Sequence, residues 1–374
     1  ILPAVLSVMR EWKGGRRDEL LAALARLPGV YVPRFSSGQL VARQWATDLD
    51  AFPVFATVLT RDTELGDLYL MEVERGCNWS CRFCLVSTVF CPVRYRSLVS
   101  LLVQAQTGLK YRRRVGLVGP EVSGHPQLEE LLTRLRQMGA GLSISSLRVK
   151  PLSSPVLEKL VEGGVKTIAL APEAGSPRLR KLIGKALTEE DILGAVGKVA
   201  EQGIRQLKLY LMVGLPTETD EDIEAIVRLA VKCKGVLDRW RGGTRLSINI
   251  APFVPKAGTP FQWLPMAGTA ILKGRISRLS KALSPRGIKV KSESPAWSQV
   301  QGVLARGDSA LAGVLADVSE VSLSGWRRAV AGRNLDIDYI HRRWPAQQKL
   351  PWSAVDMGLK KGRLEAELDK ALAE

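Results

Sequence analysis

Three of the chain's five cysteines, Cys77, Cys81 and Cys84, fall within eight positions, spaced C-x3-C-x2-C. Thiolates this close can hold an iron–sulfur cluster on one short loop. A cubane cluster takes four thiolates, so three leave one iron open, and an open metal position is where metal chemistry occurs. A structural zinc site would need a second pair of ligands. The remaining cysteines and histidines are Cys91, Cys233, His125 and His341, so zinc would have to recruit Cys91. Metal-free core packing fits poorly with Asn78, Ser80 and Arg82 as neighbours.

The 374 residues are 46% hydrophobic and 24% charged, which predicts a globular fold rather than disorder. The length suits one large α/β domain with a smaller companion. No apolar run reaches the length of a membrane span, and no signal-peptide pattern is visible. Five cysteines, three of them clustered, do not make a disulfide framework, so a reducing cytoplasm is expected. The formal charge of +17 predicts an anionic partner, RNA being one candidate. The chain starts at Ile1, so part of the native N-terminus is expected upstream.

In chain order, residues 1–65 read as the tail of a preceding module. Leu2, Val5, Leu6 and Met9 mark one helical face, Leu20, Leu21, Leu24 and Leu27 another. Val30–Arg34 reads as a short strand, and 36–65 as an extended linker. Leu68–Glu74 is the first strand of the alternating part, and it delivers the cysteine loop from its C-terminal end. Strands then recur at 115–118, 142–147, 167–171, 207–213 and 246–250. Between them lie helices with Ser154, Thr188 and Thr219 as N-caps. The alternation predicts an α/β fold, a six-stranded parallel sheet curled into a partial (β/α) barrel over 66–265, with sites at the strands' C-terminal ends. From 266 to 374 the period changes to a mainly helical domain. It contains an edge strand at 288–291 and two Trp/Arg runs, Trp326-Arg327-Arg328 and Arg342-Arg343-Trp344. Such runs either stack on nucleic acid or place Trp in a core with Arg in solvent. Lys110–Arg114 is likewise a phosphate contact or a solvated turn.

The motif and its surroundings resemble the radical S-adenosylmethionine (SAM) superfamily, with Phe83 in the aromatic place before the third cysteine. In that family the open iron chelates the amino and carboxylate groups of SAM, and one electron cleaves SAM to methionine and a 5′-deoxyadenosyl radical. The resemblance implies a 4Fe–4S cluster on Cys77, Cys81 and Cys84. It also implies a one-electron reductant such as flavodoxin or ferredoxin, and Phe83 against the adenine. Gly119-Pro120-Glu121 occupies the place of the family's Gly-Gly-Glu-like ammonium-binding segment, with proline replacing one glycine. Ser146 and Arg148, at the third strand's end, suit ribose or carboxylate contacts. Glu173 follows the buried fourth strand and needs a partner there. Lys185 lies where related enzymes place a basic residue near the methionine carboxylate. Lys208 and Tyr210 share one face of the fifth strand. They are candidate catalytic residues if that face turns to the barrel interior, and otherwise Lys208 snorkels between helices. Gly214–Thr219 resembles the family's Gly-Leu-Pro-x-Glu-Thr turn, and Ala251–Lys256 with Gly258–Pro260 its Pro-rich closing loop.

A closer resemblance is to the subgroup whose radical SAM domain follows a cobalamin-binding domain. It rests on Leu27–Arg34, on Arg75–Cys84 with Pro92–Ser97, and on Leu350–Ser353 with Asp356–Gly358. It implies cobalamin-dependent methyl transfer to an unactivated carbon. The chain has no Asp-x-His-x-x-Gly cobalamin-ligand motif, so such a domain is expected upstream of Ile1. Two rival readings are methylthiolation-type RNA modification, which predicts a small C-terminal RNA-binding barrel, and a basic nucleic-acid-binding protein with a structural metal.

Overall fold

The computed structural model describes residues 1–36, 38–56, 58–240 and 243–373. Ser37 and Thr57, inside the expected linker, lie outside them. Parallel strands follow one another in chain order: β1 Leu68–Glu72, β2 Arg114–Val118, β3 Gly141–Ile144, β4 Thr167–Glu173, β5 Gln206–Val213, β6 Arg245–Pro252 and β7 Lys289–Ser292. β1–β3 form one ladder and β4–β7 another. A parallel bridge between Leu147 and Leu170 joins them just beyond β3. The six expected strands are therefore present in the expected order, and β7 is the expected edge strand, paired to β6.

The helix layer follows from sequence periodicity. Helix Leu128–Gln137 buries Leu128, Leu131, Leu132 and Leu135, one stripe at helical spacing. β5 buries Leu207, Leu209 and Leu211 in the same core, each contributing about 1.5–3 kcal/mol on leaving water. Capping boxes start two helices, Thr188 with Asp191 before Glu189–Glu201, and Thr219 with Asp222 before Asp220–Asp238.

Local expectations fail in three places. Val30–Arg34 is not a strand. Phe35 N and Ser36 N both donate to Val32 O, a turn that Pro33 favours. The cap expected at Ser154 belongs to Ser153, whose backbone is extended and whose hydroxyl accepts from Val156 N. Ser154 instead begins the helix. β1 ends at Glu72, and Glu74–Arg75 pair antiparallel with Arg94–Tyr95. That short ladder closes the base of the cysteine loop.

After helix Thr269–Leu283 and β7, helices Pro295–Arg306, Leu311–Asp317 and Leu323–Gly332 enclose a cluster with Val303, Val314, Trp326 and Ile340. Trp326 is buried there while Arg327 and Arg328 are exposed, the arrangement of a core aromatic with a solvated basic face. The last helix, Arg363–Ala373, returns to the barrel. Its Leu368 and Ala371 bury against a cluster with Leu182, Ile183, Phe261 and Trp263, on which Phe83 also packs. Val355–Asp356 pair in parallel with Val41–Ala42, so the N-terminal segment and the tail share a two-stranded ladder. No helix among the described residues is long and apolar enough to cross a membrane.

Candidate metal and cofactor site

Because the strands are parallel, their C-terminal ends share one rim. The loops leaving β1, β2, β3 and β4 meet there around a single cavity. Cys77, Cys81 and Cys84 line it, together with Phe83, Pro120, Glu121, Ser146, Arg148, Glu173 and Lys185. Thus nearly all the expected cluster and cofactor residues come together. Gly119 faces the other side of its turn, towards Glu74. Lys208 and Tyr210 do not line the cavity. They lie on the β5 face opposite Leu207, Leu209 and Leu211, in register with Ser247 and Asn249 of β6. Lys208 is only two residues from the N-terminal end of β5, well below the rim.

The cysteine loop is held from several sides. Gly76 precedes Cys77 with φ 87°, and a Cβ there would stand 2.6 Å from Phe90 O, so only glycine fits this approach. Ser87 Oγ meets the carbonyls of Cys81 at 2.9 Å and Cys84 at 2.7 Å. The Cys91 thiol points at the carbonyls of Cys77 (3.3 Å) and Ser87 (3.1 Å), into the loop's own backbone rather than the cavity. Arg82 is 4% exposed and donates to Lys181 O and Leu182 O. It also pairs with Glu367 of the last helix at 3.0 Å. Arg82 N donates to Ile183 O as well, which locks the loop to the segment after β4.

Burial pushes the Cys81 thiol up to about 11, with the nearby Lys185 ammonium opposing. Burial also raises Cys77, and the Glu121 carboxylate adds to the rise. Metal binding has to displace those protons. No three His, Cys, Asp or Glu side chains among the described residues converge on a single-ion site. A cubane does not ask for that convergence, since its thiolates bind different irons. Three thiols on one short loop are the donors that a cubane with one open iron takes.

Two opposed ion pairs complete the cavity. Arg148 Nε lies 2.5 Å from Glu121 Oε1 but outside hydrogen-bonding geometry, so this buried donor has no hydrogen-bond acceptor. The Arg148 guanidinium also stacks 3.6 Å from the Trp79 ring. Lys185 Nζ donates to Glu173 Oε1 at 3.2 Å. Glu173 sits at φ 69°, where β4 leaves register with β5. Burial raises the Glu173 carboxyl, with Lys185 and Lys256 opposing, and burial raises Glu121 against the pull of Arg148. Two carboxylates and two cations lining one cavity suit a zwitterionic amino acid. SAM's methionine end is such a group.

Trp79, Ser123, Val149, Ala186 and Leu187 also line the cavity, although sequence reasoning assigned none of them a role there. Trp79 was the detectable one, since it stands between the first two cysteines. Beyond the cavity, the rim is stiffened by Asp222, which accepts from Ser176 Oγ at 2.6 Å and pairs with Arg178. Gly214 N donates to Glu218 Oε2 at 2.6 Å, and that carboxylate also meets Arg275. The Gly214–Thr219 turn thus shapes the exit of β5 and caps the next helix.

Residues 71–230 match the profile of the Radical SAM superfamily. An uncharacterized protein of Methanocaldococcus jannaschii is 36% identical over 70% of this chain and 57% of its own length. An uncharacterized methyltransferase of Pyrococcus horikoshii is 28% identical over 44% of this chain and 36% of its own. A tRNA-2-methylthio-N(6)-dimethylallyladenosine synthase of Anoxybacillus flavithermus is 22% identical over 76% of this chain and 54% of its own. The chain spans about half the length of these relatives or less. With the three clustered cysteines, the parallel strands and the cavity at one rim, residues 71–230 of this chain are a radical SAM domain.

Proposed function

We propose that this chain is the core of a cobalamin-dependent methyltransferase. It would bind a 4Fe–4S cluster through Cys77, Cys81 and Cys84, and SAM in the adjoining cavity. The observation that carries the reading is the convergence of three thiols and two opposed ion pairs on one cavity. When bound, the cluster supplies the electron that cleaves SAM. The chain's own residues do the rest. Glu121 and Glu173 accept from the ammonium of SAM, and Arg148 and Lys185 take its carboxylate, each giving up part of its present ion pair. Phe83 and Leu187 offer apolar surface to the adenine, and the Ser146 hydroxyl suits the ribose. The ring of Trp79 over Arg148 keeps that guanidinium aimed inward.

Methyl transfer is supported by the cobalamin-type resemblance of the cysteine loop and by the name of the Pyrococcus horikoshii relative. Methylthiolation is supported by the synthase relative. That second reading expects a C-terminal barrel, whereas helices occupy 295–332 here. Anaerobic reconstitution with iron and sulfide, followed by reduction with SAM present, tests the cluster and SAM site, and the expected product is 5′-deoxyadenosine. Methyl transfer is tested on the full-length protein with hydroxocobalamin added, where S-adenosylhomocysteine is expected as well. An iron-loaded, reduced protein that yields neither would sink the reading.

A further inference from the structure

Behind the Gly119–Pro120 turn lies a second cavity of about 520 Å³, a size that suits small molecules. Pro120 lines both cavities, so this turn is the wall they share. The second cavity has three zones. At the outer end, Trp45 and Phe90 are exposed, and Arg43 and Arg94 stand 5.2 Å and 4.9 Å from the Trp45 ring. Along the middle run the apolar side chains of Val86, Val89 and Val118. At the inner end lies Glu74, 1% exposed. One of its carboxyl oxygens accepts from Glu121 N; the other, Oε2, is buried without a partner.

The charges on this wall are unbalanced. Arg75 is paired to Glu72 at 2.7 Å. Arg43 and Arg94 meet only backbone carbonyls, those of Cys91 for Arg43 and of Ala46, Phe90 and Pro92 for Arg94, and no carboxylate among the described residues. Burial and the neighbouring charges of Arg43 and Arg75 lower Arg94, with the Glu72 carboxylate of the same wall opposing. Like charges are crowded here around one aromatic ring, and Arg43 keeps N–H groups to spare. Guanidinium groups so placed suit a carboxylate or phosphate. A buried carboxyl oxygen without a partner is costly unless a ligand meets it.

We infer that this cavity takes the acceptor substrate, an apolar molecule carrying a phosphate or carboxylate. Its anionic group meets Arg43 and Arg94, its body lies along Val86, Val89 and Val118, and a polar group near its other end meets Glu74. This places that end beside Pro120, against the SAM cavity. The inference rests on the function proposed above, because it identifies the substrate class of the same site.

Octyl phosphate, octanoate and octanol serve as probes, titrated calorimetrically into the reconstituted chain. One or both anions should bind more tightly than octanol, and the tighter anion identifies the natural group. Arg43→Gln should weaken anion binding about tenfold, the loss of one hydrogen bond to a charged group. Arg43→Lys, which keeps the charge, should restore most of it, and this guards against reading a folding defect as lost binding. Equal binding of octanol and both anions, or anion binding indifferent to Arg43→Gln, would overturn the inference. SAM binding by the same protein is measured in parallel. Its absence would count against the radical SAM reading, while SAM binding without Arg43-dependent anion binding would remove the second-cavity inference alone.

Discussion

Glu74 offers a quantitative test of the site's electrostatics. Its carboxyl is buried beneath the turn that presents Glu121, and a Cβ on Gly119 would stand 2.7 Å from its Cγ. Burial, with a further push from the Glu121 carboxylate, raises it from 4.5 to about 7, against the hydrogen bond from Glu121 N and the Arg148 charge. In the unfolded chain it titrates near 4.5. Below that pH both states hold the proton and the group contributes nothing. As pH rises towards 7 the unfolded chain loses its proton first, so folding stability falls, and the penalty is complete above the folded value. At ~1.4 kcal/mol per tenfold change, the full penalty is about 3 kcal/mol. Glu74→Gln keeps an oxygen for the Glu121 N–H and has no proton to lose. Urea unfolding of the metal-free chain under reducing conditions, followed by circular dichroism at pH 5 and pH 8, reads the difference. Relative to wild type, the variant should gain about 2.5 kcal/mol between the two pH values, because roughly 0.8 kcal/mol of the penalty is already present at pH 5. Glu218 is raised to about 7 by burial despite its Arg275 partner, so wild type carries a second loss of the same sign. Comparing variant with wild type cancels it. A stability difference that stays constant from pH 5 to pH 8 would refute the assigned burial of Glu74.

Arg82→Met removes the donors to Lys181 O and Leu182 O and the ion pair to Glu367. It should cost about 3 kcal/mol in urea, at the low end for a buried charge pair because Glu367 is one-third exposed, and should lower iron per chain after reconstitution. Cys91→Ser should keep iron binding and SAM cleavage, because that thiol faces the Cys77 and Ser87 carbonyls; iron lost with Cys91 would reopen the zinc reading.

The strands were legible because β5 and its neighbours carry period-two burial inside long apolar runs, and the helices because Thr188 and Thr219 announce their starts. The site was legible for a related reason. In a parallel sheet the polar residue just past each strand goes to the same rim, so Glu121, Arg148 and Glu173 could be gathered without knowing any distance. What escaped was set by contacts distant in sequence. Nothing near Glu367 tells that it meets Arg82, 285 residues away. Lys208 and Tyr210 illustrate a second limit. Alternation assigns them a shared face and the expected span 207–213 already puts Lys208 near the strand's start, but neither tells which way that face turns.

The same point bears on the net charge of +17. From composition alone it suggests an anionic partner. Yet Arg96, Arg180 and Arg306 are among the largest fully buried side chains, each 0–1% exposed. Arg180 donates to the carbonyls of Ala174, Gly175 and Leu187, and Arg306 to those of Leu264, Ile340 and Arg342, with Trp344 stacked on its guanidinium. Arg96 ties Leu49 O and Phe52 O to the Glu72 carboxylate. Long irregular loops leave carbonyls that no ladder satisfies, and a planar guanidinium can collect several at once. Part of the positive charge therefore holds loops together inside the molecule, the cysteine loop among them through Arg82. The charge that bears on a partner is the part left facing a cavity or solvent. At the proposed site that part is small and local: Arg43 and Arg94 around one tryptophan, one turn away from the SAM cavity.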